Sequence, residues 1–162
     1  MSSLAREIFG WIGWFVLVFV VAAVGSTASI EARDFYAQLV QPAWAPPPWL
    51  FGPVWTVLYV MMGIAAALVW RAGGFHERRV ELTLFLLQLA LNGLWSWLFF
   101  AWSLGGIAFA EVVLLWLAIS ATLVLFYRVR PLAGVLLVPY LLWVTFAAAL
   151  NYTLWQLNPQ IL

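Results

Sequence analysis

Apolar residues fall in five long runs, separated by short clusters of charged and turn-forming residues. The first extends from Ile8 to Ile30, between Glu7 and Glu31, without a charge. The second runs from about Trp49 to Trp70 and ends at Arg71; the third is Leu82 to Trp102. The fourth, about Ile107 to Tyr127, contains one charge, Glu111, and the fifth is about Leu132 to Leu154. Each run is close to the ~20 residues that a helix needs to cross a hydrocarbon core. A lipid-facing barrel strand would instead alternate polar and apolar residues over short segments. Backbone polar groups in lipid need partners within their own segment or a closed sheet. The pattern therefore predicts an all-α fold: one domain over 1–162, an integral membrane bundle of five transmembrane helices at about 8–30, 49–70, 82–102, 107–127 and 132–154. The first run is too long for the apolar region of a signal peptide, and Gly25-Ser26-Thr27-Ala28 is a weak cleavage pattern.

The connections 71–81, 103–106 and 128–131 are short. The loop 31–48 is long and carries Pro42, Pro46, Pro47 and Pro48, which cannot continue a helix. Long loops in compact folds tend to be functional. Arg6, Arg71, Arg78, Arg79, Arg128 and Arg130 share one side of such a bundle, while Arg33 is alone on the other. The positive-inside rule then places the N-terminus in the cytoplasm, and the Pro-rich loop and C-terminus outside. No internal repeat is visible, and an odd helix count does not divide into two inverted halves.

Composition narrows the functional classes. Of the 162 residues, 67% are apolar and 8% charged, against roughly a quarter charged in an ordinary soluble domain. The net charge of +1 leaves no basic patch for nucleic acid. Cysteine is absent, so disulfides and thiolate chemistry are excluded. His76, the one histidine, sits beside Glu77, Arg78 and Arg79 in a loop and reads as solvated. No Walker motif, metal-spaced cluster or catalytic triad is present, and no cofactor is implied.

Twelve tryptophans are the anomaly. Trp11, Trp14, Trp49, Trp70, Trp102 and Trp155 lie near run ends, where an interfacial belt accounts for them. Trp55, Trp95 and Trp143 sit at least six residues inside their runs, ~9 Å or more below the surface at ~1.5 Å per residue. An indole N–H at that depth needs a protein or ligand partner. Trp97 and Trp116 are also internal and read as packing residues. Helical spacing groups Asn92, Trp95, Ser96 and Phe99 on one face, Trp143, Ala147 and Asn151 on another, and Trp55, Tyr59 and Met62 on a third. Such stripes mark either bundle contacts or a ligand cavity. Asn92 and Asn151 are costly in hydrocarbon and must face partners. Ala147, between two larger residues, leaves room for a helix or a flat ligand. Glu111 is either functional, or snorkels, or pairs with Arg33 or a hydroxyl. Gly10 with Gly13, and Gly106 with Ala110, are small-residue pairs that let helices approach closely.

Several blocks together resemble the translocator protein family, also called tryptophan-rich sensory protein or peripheral-type benzodiazepine receptor. They are Phe35-Tyr36, Gln41-Pro42-Ala43-Trp44-Ala45-Pro46-Pro47, Gly52-Pro53-Val54-Trp55 with Leu58-Tyr59, Gln88-Leu89-Ala90-Leu91-Asn92, Pro139-Tyr140-Leu141-Leu142-Trp143, and Leu150-Asn151-Tyr152-Thr153-Leu154-Trp155. The resemblance covers about residues 8–158. It implies a five-helix bundle, a homodimer, and a pocket under the first loop that takes porphyrins and, in some members, sterols or synthetic ligands. Matched to that pattern, the ligand-binding residues would be Tyr36, Trp44, Pro46, Trp55 and Tyr59, together with Asn92, Trp95, Ser96, Trp143 and Ala147. The basic residue that ends the proposed cholesterol motif of animal members is missing after Tyr152, which favours a bacterial member acting on tetrapyrroles in the cell (inner) membrane. The function so implied is that of a receptor or carrier for porphyrins, with a regulatory or transport role. The alternatives are light- and oxygen-dependent porphyrin breakdown with Trp143 as the redox-active side chain, and a sterol-binding or structural interaction protein.

Overall fold

A computed structural model describes residues 3–162; the side chain of Arg6, counted above for orientation, lies outside the described residues. The helices are α1 (Ser3–Ala28), α2 (Ala32–Gln38), α3 (Phe51–Arg71), α4 (Gly74–Glu77), α5 (Arg79–Ser96), α6 (Gly105–Val129), α7 (Pro131–Leu136) and α8 (Val138–Leu157). Among the described residues there is no strand. Five segments are long and apolar enough to cross a membrane: Glu7–Ala28, Pro48–Arg71, Arg79–Ala101, Gly105–Val129 and Pro131–Leu157. They are the five apolar runs, with ends displaced by a few residues.

Departures from regular helix have local causes. Pro48 opens a 3-10 turn, Pro48–Leu50, that leads into α3. Pro53 then falls in the first turn of α3, where a missing N–H costs no helical bond. The third span ends in a π-helical turn, Trp97–Ala101, closed by Trp102 N–H donating to the Trp97 carbonyl. Ser103 follows with φ 52°, a left-handed residue that turns the chain straight into α6. The fifth span is interrupted at Leu137, between α7 and α8. Pro139 supplies no N–H to the Val135 carbonyl, and the helix breaks two residues before it. The loop 31–48 contains the short helix α2. Seven residues, two of them charged, carry too little periodicity to be told from loop in the sequence.

The first span packs against the second and third, the third against the fourth, the fourth against the fifth, and α7 closes the circuit on α3. Around the bundle the spans therefore run 1-2-5-4-3. The fully buried side chains at its centre include Tyr140, Phe85, Phe126, Met62, Leu82 and Leu89. Two readings of the sequence change here. Trp14 is only 6% exposed and packs edge-on against Phe85 and Trp70, so it is a core residue and not part of a belt. The small residues admit indole rings instead of neighbouring helices. A Cβ at Gly10 would lie 2.3 Å from the Trp70 indole, and one at Gly106 would lie 2.9 Å from that of Trp155. Gly13 has nothing within 4 Å of that position. His76 is exposed in α4, as its charged neighbours suggested.

Candidate functional site

A chain of four polar side chains crosses the centre of the bundle. The Tyr59 hydroxyl on α3 donates to Asn92 Oδ1 on α5 at 2.5 Å. Asn92 Nδ2 donates to the Tyr140 hydroxyl on α8 at 3.0 Å, and that hydroxyl donates to Gln88 Oε1 at 2.7 Å. All four groups are buried, and the chain ties α3, α5 and α8 together where water cannot compete. A second relay joins the third, fifth and fourth spans. Trp95 Nε1 donates to Asn151 Oδ1 at 3.0 Å, and Asn151 Nδ2 donates to the Gly105 carbonyl at 3.0 Å. Both asparagines thus have the partners that their cost in lipid demands.

Above the first relay lies a cavity of about 580 Å3 between the first, second and third spans, under α2. Its size falls within the range of small-molecule sites. Tyr59 and Asn92 form its polar end. Trp55, Trp95, Phe51, Phe19 and Phe100 supply aromatic surface. Gly25 with Ala22 and Ala23 gives α1 a thin wall, which makes the volume available. Ser26, Ser29, Thr56 and Ser96 add hydroxyls, and Arg33 and Tyr36 come down from α2. The Tyr36 hydroxyl donates to the Pro46 carbonyl at 3.4 Å, and burial pushes its phenol above the ordinary value, so it remains a neutral donor. The roof is also latched to the far end of α8. Asn158 Oδ1 accepts from Val40 N–H at 2.8 Å, while its Nδ2 donates to the Val40 carbonyl at 3.0 Å.

Of the ten residues singled out from the sequence, Tyr36, Trp55, Tyr59, Asn92, Trp95 and Ser96 line this cavity. Trp44, Pro46, Trp143 and Ala147 lie elsewhere. Trp143 contacts Phe51 at 5.9 Å between ring centroids and Phe146 at 5.3 Å, so Phe51 stands between it and the cavity. It borders a separate apolar groove with Pro53, Val57, Pro139 and Leu142, and its Nε1 is buried with no partner among the described residues. Trp44 packs edge-on against Phe146 in the same cluster. Pro46 enters through its carbonyl, as the acceptor for Tyr36. Ala147 is buried in α8, 8% exposed. The α1 wall had no signal in the sequence: its lining residues are small or apolar and sit within an unbroken hydrophobic run.

Glu111 neither snorkels nor pairs. It is 6% exposed, and among the described residues neither carboxylate oxygen has a hydrogen-bond partner. Trp116, read as packing, donates to Thr145 Oγ1 at 2.8 Å and so links the fourth span to the fifth.

A five-span helical bundle with an aromatic cavity beneath its first loop defines an integral membrane protein with an intramembrane pocket. The TspO/MBR family matches residues 14–156, and the chain belongs to that family. It is 46% identical over 145 residues to the tryptophan-rich protein TspO of Chlorobaculum tepidum, covering 88% of this chain and 92% of that protein. It is 41% identical over 148 residues to the protein CrtK of Rhodobacter capsulatus, covering 90% and 92%. With the human translocator protein it shares 45% identity over 130 residues, covering 79% of this chain and 77% of the human protein. The protein is thus an integral membrane protein, its helices set in lipid.

Proposed function

We propose that the protein is a membrane receptor or carrier that binds tetrapyrroles in the cavity between its first three spans. The observation that carries this reading is the cavity wall: Trp55, Trp95, Phe19, Phe51 and Phe100 around a space of about 580 Å3. Aromatic rings stack favourably on a flat conjugated surface, each such contact being worth about 0.5–1.5 kcal/mol beyond the area it buries. A porphyrin is such a surface. The neutral, hydrogen-bonded pair Tyr59–Asn92 at the inner end suits an uncharged ring edge. The name of the human relative speaks of translocation, which supports a receptor or carrier.

The bacterial cell membrane is the proposed setting, with the N-terminus inside and the cavity roof outside. A reporter enzyme fused after Leu162 is expected to behave as periplasmic; cytoplasmic activity would invert this placement. A homodimer is the proposed assembly, in keeping with the family resemblance.

The test of binding is a titration of purified protein with protoporphyrin IX, in the dark and under illumination. The expected result is saturable quenching of tryptophan fluorescence in the dark, with the porphyrin absorbance recovered unchanged. A new product spectrum in the illuminated sample alone would favour the degradative enzyme. Absence of quenching would remove the ligand and leave a structural partner.

A further inference from the structure

At the inner end of the Tyr59–Asn92–Tyr140–Gln88 chain, hydrogen-bonding groups are left over. Gln88 Nε2 and both carboxylate oxygens of Glu111 are buried, and among the described residues none has a partner. Register brings the two side chains to one depth. Asn151 bonds to Trp95 near the end of α5 and to Gly105 at the start of α6, so those two residues are level. Gln88 lies seven residues deeper and Glu111 six, ~10.5 and ~9 Å at ~1.5 Å per residue. The two helices pack against each other. From α8, the Tyr140 hydroxyl donates to Gln88 Oε1 at 2.7 Å and is close enough to Glu111 to interact with it electrostatically. An amide donor, a phenol and a carboxyl thus share one layer of the core.

No counter-charge reaches that layer. The elements packed on α6 are α5, α8, α7, α3 and the π-helical turn. Arg79 and Glu81 open α5, Arg71 ends α3, and Arg128 and Arg130 flank the far end of α6, all on the side away from the loop 31–48. The residues of α7, α8 and the π-helical turn are uncharged. The titratable groups that face the core beside Glu111 are the buried phenols Tyr140 and Tyr59; Tyr127 and Tyr152 are exposed. A carboxylate ionised here would have lost its hydration and gained no partner, at far greater cost than burying the neutral acid. We propose that Glu111, Gln88 and Tyr140 form an intramembrane proton-binding site in which Glu111 rests as a neutral carboxylic acid. On release, its O–H bond breaks, the electron pair stays on the carboxylate, and the proton passes to water on the loop side. The carboxylate then takes Gln88 Nε2 and the Tyr140 O–H as donors. Tyr140 withdraws its proton from Gln88 Oε1 in doing so, which loosens the inner end of the chain that floors the cavity.

The test uses the full-length protein in lipid, without any cavity ligand, so its outcome is independent of the tetrapyrrole reading. Infrared spectroscopy is recorded at neutral pH, where solvated carboxyls are ionised. The expected result is a carboxylic-acid carbonyl band in wild type that is absent from Glu111→Gln and shifted in frequency in Glu111→Asp. The band should vanish as the pH is raised. Gln88→Leu removes a donor to the carboxylate, so its band should persist to a proton concentration about tenfold lower. Thermal unfolding gives a second readout. A proton held more tightly by the folded chain than by the unfolded one makes stability fall as pH rises. The wild-type midpoint should therefore drop relative to Glu111→Gln between mildly acidic and mildly alkaline pH. A Gln88→Leu titration identical to wild type would overturn the three-residue site. Wild type without the band, or with a midpoint that runs parallel to or gains on that of Glu111→Gln as pH rises, would overturn the proposal as a whole.

Discussion

Replacing Gly25 by phenylalanine is expected to abolish porphyrin binding while leaving the bundle folded. Gly25 lies on the α1 wall of the cavity, facing α5. A Cβ there would stand 3.4 Å from Ser96 Oγ, an ordinary contact, so the substitution begins without a backbone clash. Beyond Cβ, the ring has only the cavity to occupy, and it would take much of the space that a planar ligand needs. A helical glycine exchanged for another residue also recovers roughly 0.5–1 kcal/mol of backbone entropy, which offsets small packing losses. The expected loss of affinity is at least a hundredfold, ~2.7 kcal/mol. Gly25→Ala should bind within a few-fold of wild type. Fluorescence titration and thermal unfolding on the same samples check both halves. Wild-type affinity in a folded Gly25→Phe protein would place the ligand elsewhere.

The second large effect is on stability. Asn92→Leu keeps side-chain volume and removes the centre of the Tyr59–Asn92–Tyr140–Gln88 chain. A single hydrogen bond between membrane helices is worth only about 0.6 kcal/mol on average. The larger cost is that the Tyr59 hydroxyl loses its acceptor, and the Tyr140 hydroxyl loses a donor. Leaving a buried polar group unpaired costs about 1–3 kcal/mol. The expected destabilisation is about 2 kcal/mol, read as a lower midpoint in denaturing-detergent titration. Tyr59→Phe combined with Asn92→Leu should recover about half of that, because the orphaned hydroxyl is gone with its partner. A single variant as stable as wild type would mean that these bonds contribute nothing net in lipid.

The spans were legible because lipid imposes a length and a composition that no other environment requires, and Glu7, Glu31 and Arg71 mark their ends in plain letters. Part of the cavity was legible for a different reason. Trp55, Tyr59, Asn92 and Trp95 are residues whose polar atoms are expensive at their depth, so each had to face a protein or ligand partner. The α1 wall was not legible, since alanine and glycine in an apolar helix look the same whether they face lipid, a neighbour or a void. Trp143 shows the converse. Its depth and indole suggested a site, yet Phe51 separates it from the cavity, and only the relative rotation of α3 and α8 decides that. The small-residue pairs are legible only in part: spacing at Gly10 and Gly106 shows that something approaches closely, but not that it is the Trp70 or Trp155 ring. Glu111 had several plausible partners in the sequence and has none among the described residues, a consequence of facing the core instead of the loop.

The most direct measurement is an experimental structure of the protein saturated with protoporphyrin IX in the dark. The macrocycle is expected between the first three spans, in contact with Phe19, Trp55 and Trp95, with its propionates at the roof under α2. A macrocycle seated in the groove beside Trp143 and Pro139, with the cavity beneath Tyr36 unfilled, would contradict it.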